Sequence, residues 1–247
     1  MTQVALVTGA AQGVGKAIAQ SLYRAGFAVV VTDAFEAGAQ ATANEIDASG
    51  EKVLALKLDV LKKSDFEIAL ACAVEHFGAV QVLVNNAAMT PTTPVMEITP
   101  EEFDQVVAVN QRGSFFGCQV FGSYFAEQNY GRIINMASLA GQNGGTASGA
   151  HYASSKGAIL TMTKIFARQL AGNGVTVNAV APGPMDLPSV RELVPAEKLE
   201  QIVNDMIPVK TLGDADFVAD MVSKLASQDA SFVTGAAWDI NGGIFMR

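Results

Sequence analysis

Tyr152 and Lys156 are the side chains in this sequence best suited to moving a proton. Four positions apart in a helical stretch, they fall one turn from each other on the same face. A free tyrosine titrates near pH 10, about three units above neutrality. The Lys156 ammonium, together with the positive charge of an oxidised nicotinamide if one is the hydride carrier, favours the phenolate and is expected to bring that value down toward working pH. Ser138 precedes them by 14 positions and offers a hydroxyl that can hold a substrate oxygen toward the phenol. Such a trio suits proton exchange at an oxygen whose carbon gains or loses a hydride. The plainer alternatives are a surface Tyr/Lys pair and a serine that caps a turn. His151, beside Tyr152, is either a second base or a solvated neighbour.

A hydride needs a carrier, and the first thirty-odd residues point to one. A strand-like run, Val4-Ala5-Leu6-Val7, leads into Thr8-Gly9-Ala10-Ala11-Gln12-Gly13-Val14-Gly15, after which a helical pattern begins. Gly9 permits a tight turn, Gly13 lets backbone approach a pyrophosphate, and Gly15 lets the helix pack on the sheet. The helix start then offers unpaired N–H groups to the phosphates. Gln12 and Val14 lie in the same loop. The spacing differs from the common G-x-G-x-x-G, and an ordinary glycine turn is the plain alternative. Asp33 ends the second strand-like run, 18 residues after Gly15. Its carboxylate can accept hydrogen bonds from ribose hydroxyls and would repel a 2′-phosphate. No Lys or Arg lies at 10–14 or 34–37 to receive such a phosphate. The expected cofactor is therefore NAD rather than NADP.

These residues must be positioned by a repeating β-α framework. Short apolar runs at Val4–Thr8, Ala28–Thr32, Val53–Leu58, Val80–Asn85, Arg132–Ala137, Val175–Val180 and Ala236–Ile240 alternate with helix-length stretches. The helical stretches include Gly15–Ala25, Ser64–Phe77, Glu101–Phe125, Tyr152–Leu170 and Asp214–Ala226. Strands without polar alternation are covered on both faces. The rhythm predicts an α/β fold, a doubly wound parallel sheet with helices on both faces, Rossmann-like, as one domain over 1–247. Such sheets bind ligands beyond the carboxyl ends of their strands. Half of the 247 residues are hydrophobic, enough for a large core. No apolar run approaches the ~20 residues of a membrane helix, and the N-terminus lacks a basic leader pattern. The net charge of −8 argues against nucleic acid or an anionic membrane as partner. Cys72 and Cys118 have no metal or redox spacing, so two buried thiols in a reducing cytoplasm are expected, with no metal site.

Taken together, the motifs resemble those of the short-chain dehydrogenase/reductase family, in order along nearly the whole chain. The loop Thr8-Gly9-x-x-x-Gly13-x-Gly15 is similar to its cofactor loop, Asp59-Val60 to its adenine-contacting pair, and Asn85-Asn86-Ala87-Ala88 to its N-N-A-G segment. Asn110, Ser138, Tyr152 and Lys156 match its catalytic tetrad. Asn178 to Pro182-Gly183 resembles the segment flanking the nicotinamide, and Asn241-Gly242-Gly243 the common ending. The resemblance implies that Lys156 binds the nicotinamide ribose and that Asn110 holds a water linking Lys156 to solvent. It also implies Asn86, Ala87 and Met185 among the cofactor contacts. Two positions depart: Ala88 replaces the last glycine of N-N-A-G, and Leu187 stands where the family often has a threonine, so Asp186 or Ser189 could take over that contact.

The expected activity is NAD-dependent hydride transfer between the nicotinamide and a small secondary alcohol or ketone. One alternative is reduction of a 3-oxoacyl chain on acyl carrier protein with NADPH. The basic residues by which such reductases dock an acidic carrier are missing from Glu127-Gln128-Asn129-Tyr130 and Gly172-Asn173-Gly174. Another is a non-catalytic dinucleotide sensor, which has no need of an activated tyrosine. The expected substrate rim comprises Leu139, Gln142, Asn143 and Met185, with a lid at 187–206 in which Glu197–Met206 is helix-like. Trp238 is expected in the core or at a subunit interface. Apolar residues spread around the two longest helices, such as Phe115, Phe116, Ile159 and Ile165, predict a homotetramer.

Overall fold

A strand buried on both faces shows its two-residue alternation as a choice of side, not of polarity, and β1 (Val4–Thr8) does this: Ala5 and Val7 enter one apolar cluster, Val4 and Leu6 the other. The structure is a computed structural model; it describes residues 2–145 and 149–246, apart from the side chains of Ser189 and Leu193. The neighbouring strands split in the same way, Val29 and Val31 from Ala28 and Val30, Val82 and Val84 from Leu83.

Among the described residues the elements run β1, α1 (Gly13–Arg24), β2 (Ala28–Asp33), α2 (Glu36–Ile46), β3 (Val53–Lys57), α3 (Lys63–Phe77), β4 (Val82–Asn85) and α4 (Pro100–Val107). A π-helical turn (Ala108–Arg112), α5 (Gly113–Gln128), β5 (Gly131–Met136), α6 (Ala140–Asn143), α7 (Ala150–Leu170) and β6 (Val175–Pro182) follow. Two short helices, α8 (Pro188–Leu193) and α9 (Ala196–Gln201), a second π turn (Ile202–Met206), α10 (Ala215–Ala226) and β7 (Ala237–Ile240) complete the chain. All strand pairs are parallel, in the order β3-β2-β1-β4-β5-β6-β7. The doubly wound sheet expected from the β-α rhythm is thus observed. Residues of α1, α2 and α10 cover one face, and residues of α3, α5 and α7 the other.

Glu36–Ile46, which was not among the helices named from the sequence, is helical and buries only Ala39, Thr42 and Ala43, a narrow apolar stripe. Two expectations need correction. The long helix expected over 101–125 is divided by the π turn at 108–112, which contains Asn110, and then runs on to Gln128. Both thiols are free, but only Cys118 is fully buried, where desolvation raises its pKa to about 12; Cys72 is half-buried.

The reversal of strand order falls between β1 and β4. From there the chain leaves on opposite sides of the sheet, so the loops after these two strands border one crevice.

Candidate active site

The loops after β1 and β4 are tied together. Thr8 Oγ1 accepts from the main-chain N–H of Asn86 (3.0 Å) and Ala87 (3.1 Å), and Asn86 Nδ2 donates to the carbonyls of Thr8 (2.9 Å) and Gly9 (3.0 Å). The glycines follow from this closeness. A Cβ on Gly9, which has φ +64°, would stand 2.7 Å from Ala87 Cα, and one on Gly15 would stand 2.2 Å from the Gly9 carbonyl oxygen. Gly15 is therefore needed for loop-to-loop contact with Gly9 and Asn86. Gly13, at φ +58°, faces open space.

This cradle fits a dinucleotide. Helix α1 begins at Gly13 with no side-chain cap, leaving main-chain donors of its first turn free above the open space at Gly13. Gln12 and Val14 flank that opening. Asp33 Oδ2 accepts from Ala11 N (3.2 Å) and Oδ1 from Phe35 N (3.0 Å), which orients the carboxylate and leaves each oxygen a further lone pair. Asp59 accepts from Leu61 N (3.0 Å) and lies 3.7 Å from Lys62 Nζ, while Val60 is buried against Gly113.

The proton-handling residues converge beyond β5 and on α7. Ser138 follows the end of β5, and its Oγ accepts from Ala140 N (3.1 Å) at the start of α6. Helix α6 crosses α7 with almost no gap: a Cβ on Gly141 would stand 2.5 Å from the Lys156 carbonyl carbon. That crossing brings Ser138 to Tyr152, and the sequence reading missed Gly141 and Gly157 as the residues that allow it. Their signal was available in the spacing, Gly141 three after Ser138 and Gly157 directly after Lys156. Lys156 is buried and donates from Nζ to the Met136 carbonyl (2.6 Å); its Nζ lies 5.7 Å from the centre of the Tyr152 ring.

Burial pushes the Lys156 amine down to about 8. It pushes the Tyr152 phenol up, and the Ser138 hydroxyl offsets this in part. The expected lowering, by Lys156 together with the nicotinamide's positive charge, concerns the cofactor-bound protein; in the protein alone desolvation is the larger cause and acts upward.

Asn110 is fully buried in the π turn. Its Oδ1 accepts from Met89 N (2.7 Å), and its Nδ2 donates to Met89 O (3.0 Å) and Ser155 Oγ (3.1 Å). Its side chain thus ties the segment after β4 to α7, and its carbonyl receives the Ser114 hydroxyl at 2.7 Å. His151 is also fully buried and turns to Glu102 (Nε2 to Oε1, 3.0 Å), so it offers no second base at the phenol.

Of the expected rim, Asn143 is exposed, Gln142 donates to Asp239 (2.6 Å), and Leu139 and Met185 are buried. Met185 bridges to Gly213 and packs into the cluster under α10, which removes it from an open rim. Pro182 ends β6, where its carbonyl accepts from Leu139 N (2.9 Å), and Gly183 N donates to the Ile240 carbonyl (2.8 Å). Leu187 stands before α8, packed on the core. Asp186 is engaged by Arg191 at 2.5 and 2.7 Å, which holds its carboxyl below the usual range; the Ser189 side chain lies outside the described residues.

Comparison with known proteins agrees with this geometry. A family model described as enoyl-(acyl carrier protein) reductase matches residues 9–244. The chain is 40% identical to a 2-(R)-hydroxypropyl-CoM dehydrogenase of Xanthobacter autotrophicus over 98% of each chain. It is 36% identical to a 3-oxoacyl-acyl-carrier-protein reductase of Staphylococcus epidermidis over the full length of both. A Vibrio cholerae reductase of the same name is 35% identical over 99% of this chain and 98% of its own. With the glycine cradle at the strand-order reversal and the Ser138, Tyr152 and Lys156 cluster beside it, these matches make the chain a member of the short-chain dehydrogenase/reductase family, an oxidoreductase on a Rossmann-like fold.

Proposed function

We propose that the protein is an NAD-dependent dehydrogenase/reductase acting on a small secondary alcohol or ketone, in the cytoplasm. The observation that carries this reading is the half-buried Tyr152, whose phenol is hydrogen-bonded to Ser138 and which shares α7 with Lys156. A bound nicotinamide supplies or accepts the hydride. The chain does the rest: Ser138 holds the substrate oxygen, and Tyr152 delivers a proton to that oxygen in reduction or removes it in oxidation. Desolvation moves the phenol's pKa upward in the free protein, which reinforces the protonated state that an acid needs in ketone reduction. Lys156, bonded to the Met136 carbonyl, lies where it can exchange protons with Tyr152 and bind ribose hydroxyls. The segment 187–206, two short helices and a π turn, stands as the lid.

Asp33 supports NAD. Its carboxylate is fixed by two main-chain donors, and a 2′-phosphate placed beside it would meet a charge that cannot swing away. A small substrate is supported by the chain's flanks. Asn129 caps α5 in a left-handed turn against Gly174, and Glu127 to Tyr130 and Gly172 to Gly174 contain no basic residue for an acidic carrier. The hydroxypropyl group named for the Xanthobacter relative is itself a secondary alcohol. The names of the Staphylococcus and Vibrio relatives favour the second reading, a 3-oxoacyl-carrier reductase. Absorbance at 340 nm separates the two when a panel of secondary alcohols with NAD is run against an acyl-carrier substrate with either reduced cofactor.

A tetramer is part of the proposal. Phe115 on α5 and Ile165 on α7 remain 40% and 60% exposed, and the Phe115 and Phe166 rings lie 5.8 Å apart, so these helices keep an apolar face that the sheet does not cover. The proposal takes the C-terminal region, where Met246 is exposed, as the second pairing surface; Arg247 lies outside the described residues.

Four outcomes are expected. Asp33→Ala narrows a kcat/KM preference for NAD over NADP; a parent enzyme that prefers NADP overturns the cofactor assignment. Tyr152→Phe binds cofactor but loses turnover, and retention of more than about a tenth of the parent rate would remove Tyr152 from the acid/base role. Lys156→Met loses turnover yet melts higher than the parent. Burial lowers the Lys156 pKa to about 8 from 10.5, so the fold disfavours the ammonium at every pH below about 8. That cost fades as pH climbs toward 10.5, where the unfolded chain also loses the proton. The melting gap should therefore be widest below pH 8 and shrink above it; a gap independent of pH contradicts the assignment. Light scattering should give about four times the 25.8 kDa chain mass, and a mass near one chain sinks the tetramer.

A further inference from the structure

Tyr152 is the third residue of α7, in a first turn with weak local support. The helix has no side-chain cap at Gly149 and no acidic residue in its first turn. Such turns fray unless tertiary contacts hold them. Here one side chain of the turn is fully buried, and it is His151.

The imidazole sits in a closed pocket made by other elements. A Cβ on Gly149 would stand 2.3 Å from His151 Cε1, so glycine is what lets the ring lie against the backbone. Nε2 meets Glu102 Oε1 on α4 at 3.0 Å, and the same oxygen accepts from Thr93 Oγ1 at 2.6 Å. Nδ1 is buried without a partner, which assigns the ring proton to Nε2, donating to Glu102. Gly149 N donates to the Pro91 carbonyl at 3.0 Å. The helix start, α4 and the segment 89–93 after β4 therefore meet at one carboxylate.

We propose that His151 is a positioning residue for the reaction: through Glu102 it clamps the first turn of α7 and so fixes the Tyr152 phenol against Ser138. The ring does not touch substrate. Asn110 secures the same segment at Met89 and the same helix at Ser155. His151 adds the second fixing point, at the turn that carries the phenol. A proton-transfer group displaced by about 1 Å can lose up to a hundredfold in rate, so a clamp of this kind acts on kcat more than on binding.

This inference rests on the reading of Tyr152 as acid/base, and the experiment separates the two. The probe is the secondary alcohol of the panel that reduces NAD fastest. His151→Phe keeps the ring volume and removes the donor. It should lower kcat about tenfold or more, with KM and NADH affinity changed less than about twofold. His151→Gln, whose amide N–H can reach Glu102, should recover most of kcat. Glu102→Ala should reproduce the loss, and the double variant His151→Phe/Glu102→Ala should be no slower than the slower single one. Amide hydrogen exchange over 150–156, which needs no substrate, should speed up in His151→Phe and return toward the parent in His151→Gln. Unchanged kcat, additive losses, no rescue by glutamine, or unchanged exchange would each overturn the clamp. If Tyr152→Phe keeps its activity, the acid/base reading fails instead.

Discussion

Two strand ends have to be held together before anything else in this protein can work. At the junction of β1 and β4 the chain departs to opposite faces of the sheet, and the two loops would diverge unless something bound them. Thr8 and Asn86 do so with four hydrogen bonds between the loops. The closeness this enforces is what excludes a side chain at Gly9 and Gly15. With the loops fixed, the start of α1 and the Asp33 carboxylate face the same crevice, and the proposed recognition of phosphate and ribose would rest on rigid backbone.

The next layer of order is a polar network buried beneath the site. Asn85, at the end of β4, donates to Asn135 on β5 at 2.9 Å, and Asn135 donates to Thr163 on α7 at 3.0 Å. A buried amide left without partners would cost about 1–3 kcal/mol, so such a network holds only one register of strands and helix. It lies three residues below Ser138 and seven beyond Lys156, and so sets the height of α7 against the sheet. Within this network Asn85 Oδ1 lacks a partner, pressed toward Gly117, where a Cβ would come within 2.2 Å.

The groups proposed to handle the proton are shaped by desolvation. It drives both Tyr152 and Lys156 toward their neutral forms, upward for the phenol and downward for the amine. From ordinary values of 10.0 and 10.5 this widens the gap between their proton affinities and reverses its order, so that in the protein alone the phenol holds its proton more tightly than the amine does. The arrangement is unfavourable for stability, since a buried amine at neutral pH is charged against its surroundings. Function has been placed here at the expense of the fold.

The sequence by itself determined the parallel doubly wound sheet, the glycine cradle, Asp33 and the Ser138, Tyr152 and Lys156 set. All of these are carried by local signals: apolar strand-length runs, glycine spacing, a helical i,i+4 pair. Strand positions were legible to within a few residues because burial on both faces writes itself into every residue of a strand. Only the tertiary structure decided what depends on contacts between distant segments. Helix α2 has too thin an apolar stripe to be seen before β3 and the glycine loop cover it. The π turn at Asn110 exists because its side chain is claimed by Met89 and Ser155 from elsewhere in the chain. Met185 turns out buried because Gly213 pairs with its backbone. The upward shift of Tyr152 reflects how much of the molecule closes over it, which no residue spacing reports. His151 looked like no more than a sequence neighbour of Tyr152; its partner Glu102 is 49 residues away, and only the packing of α4 on α7 brings them together.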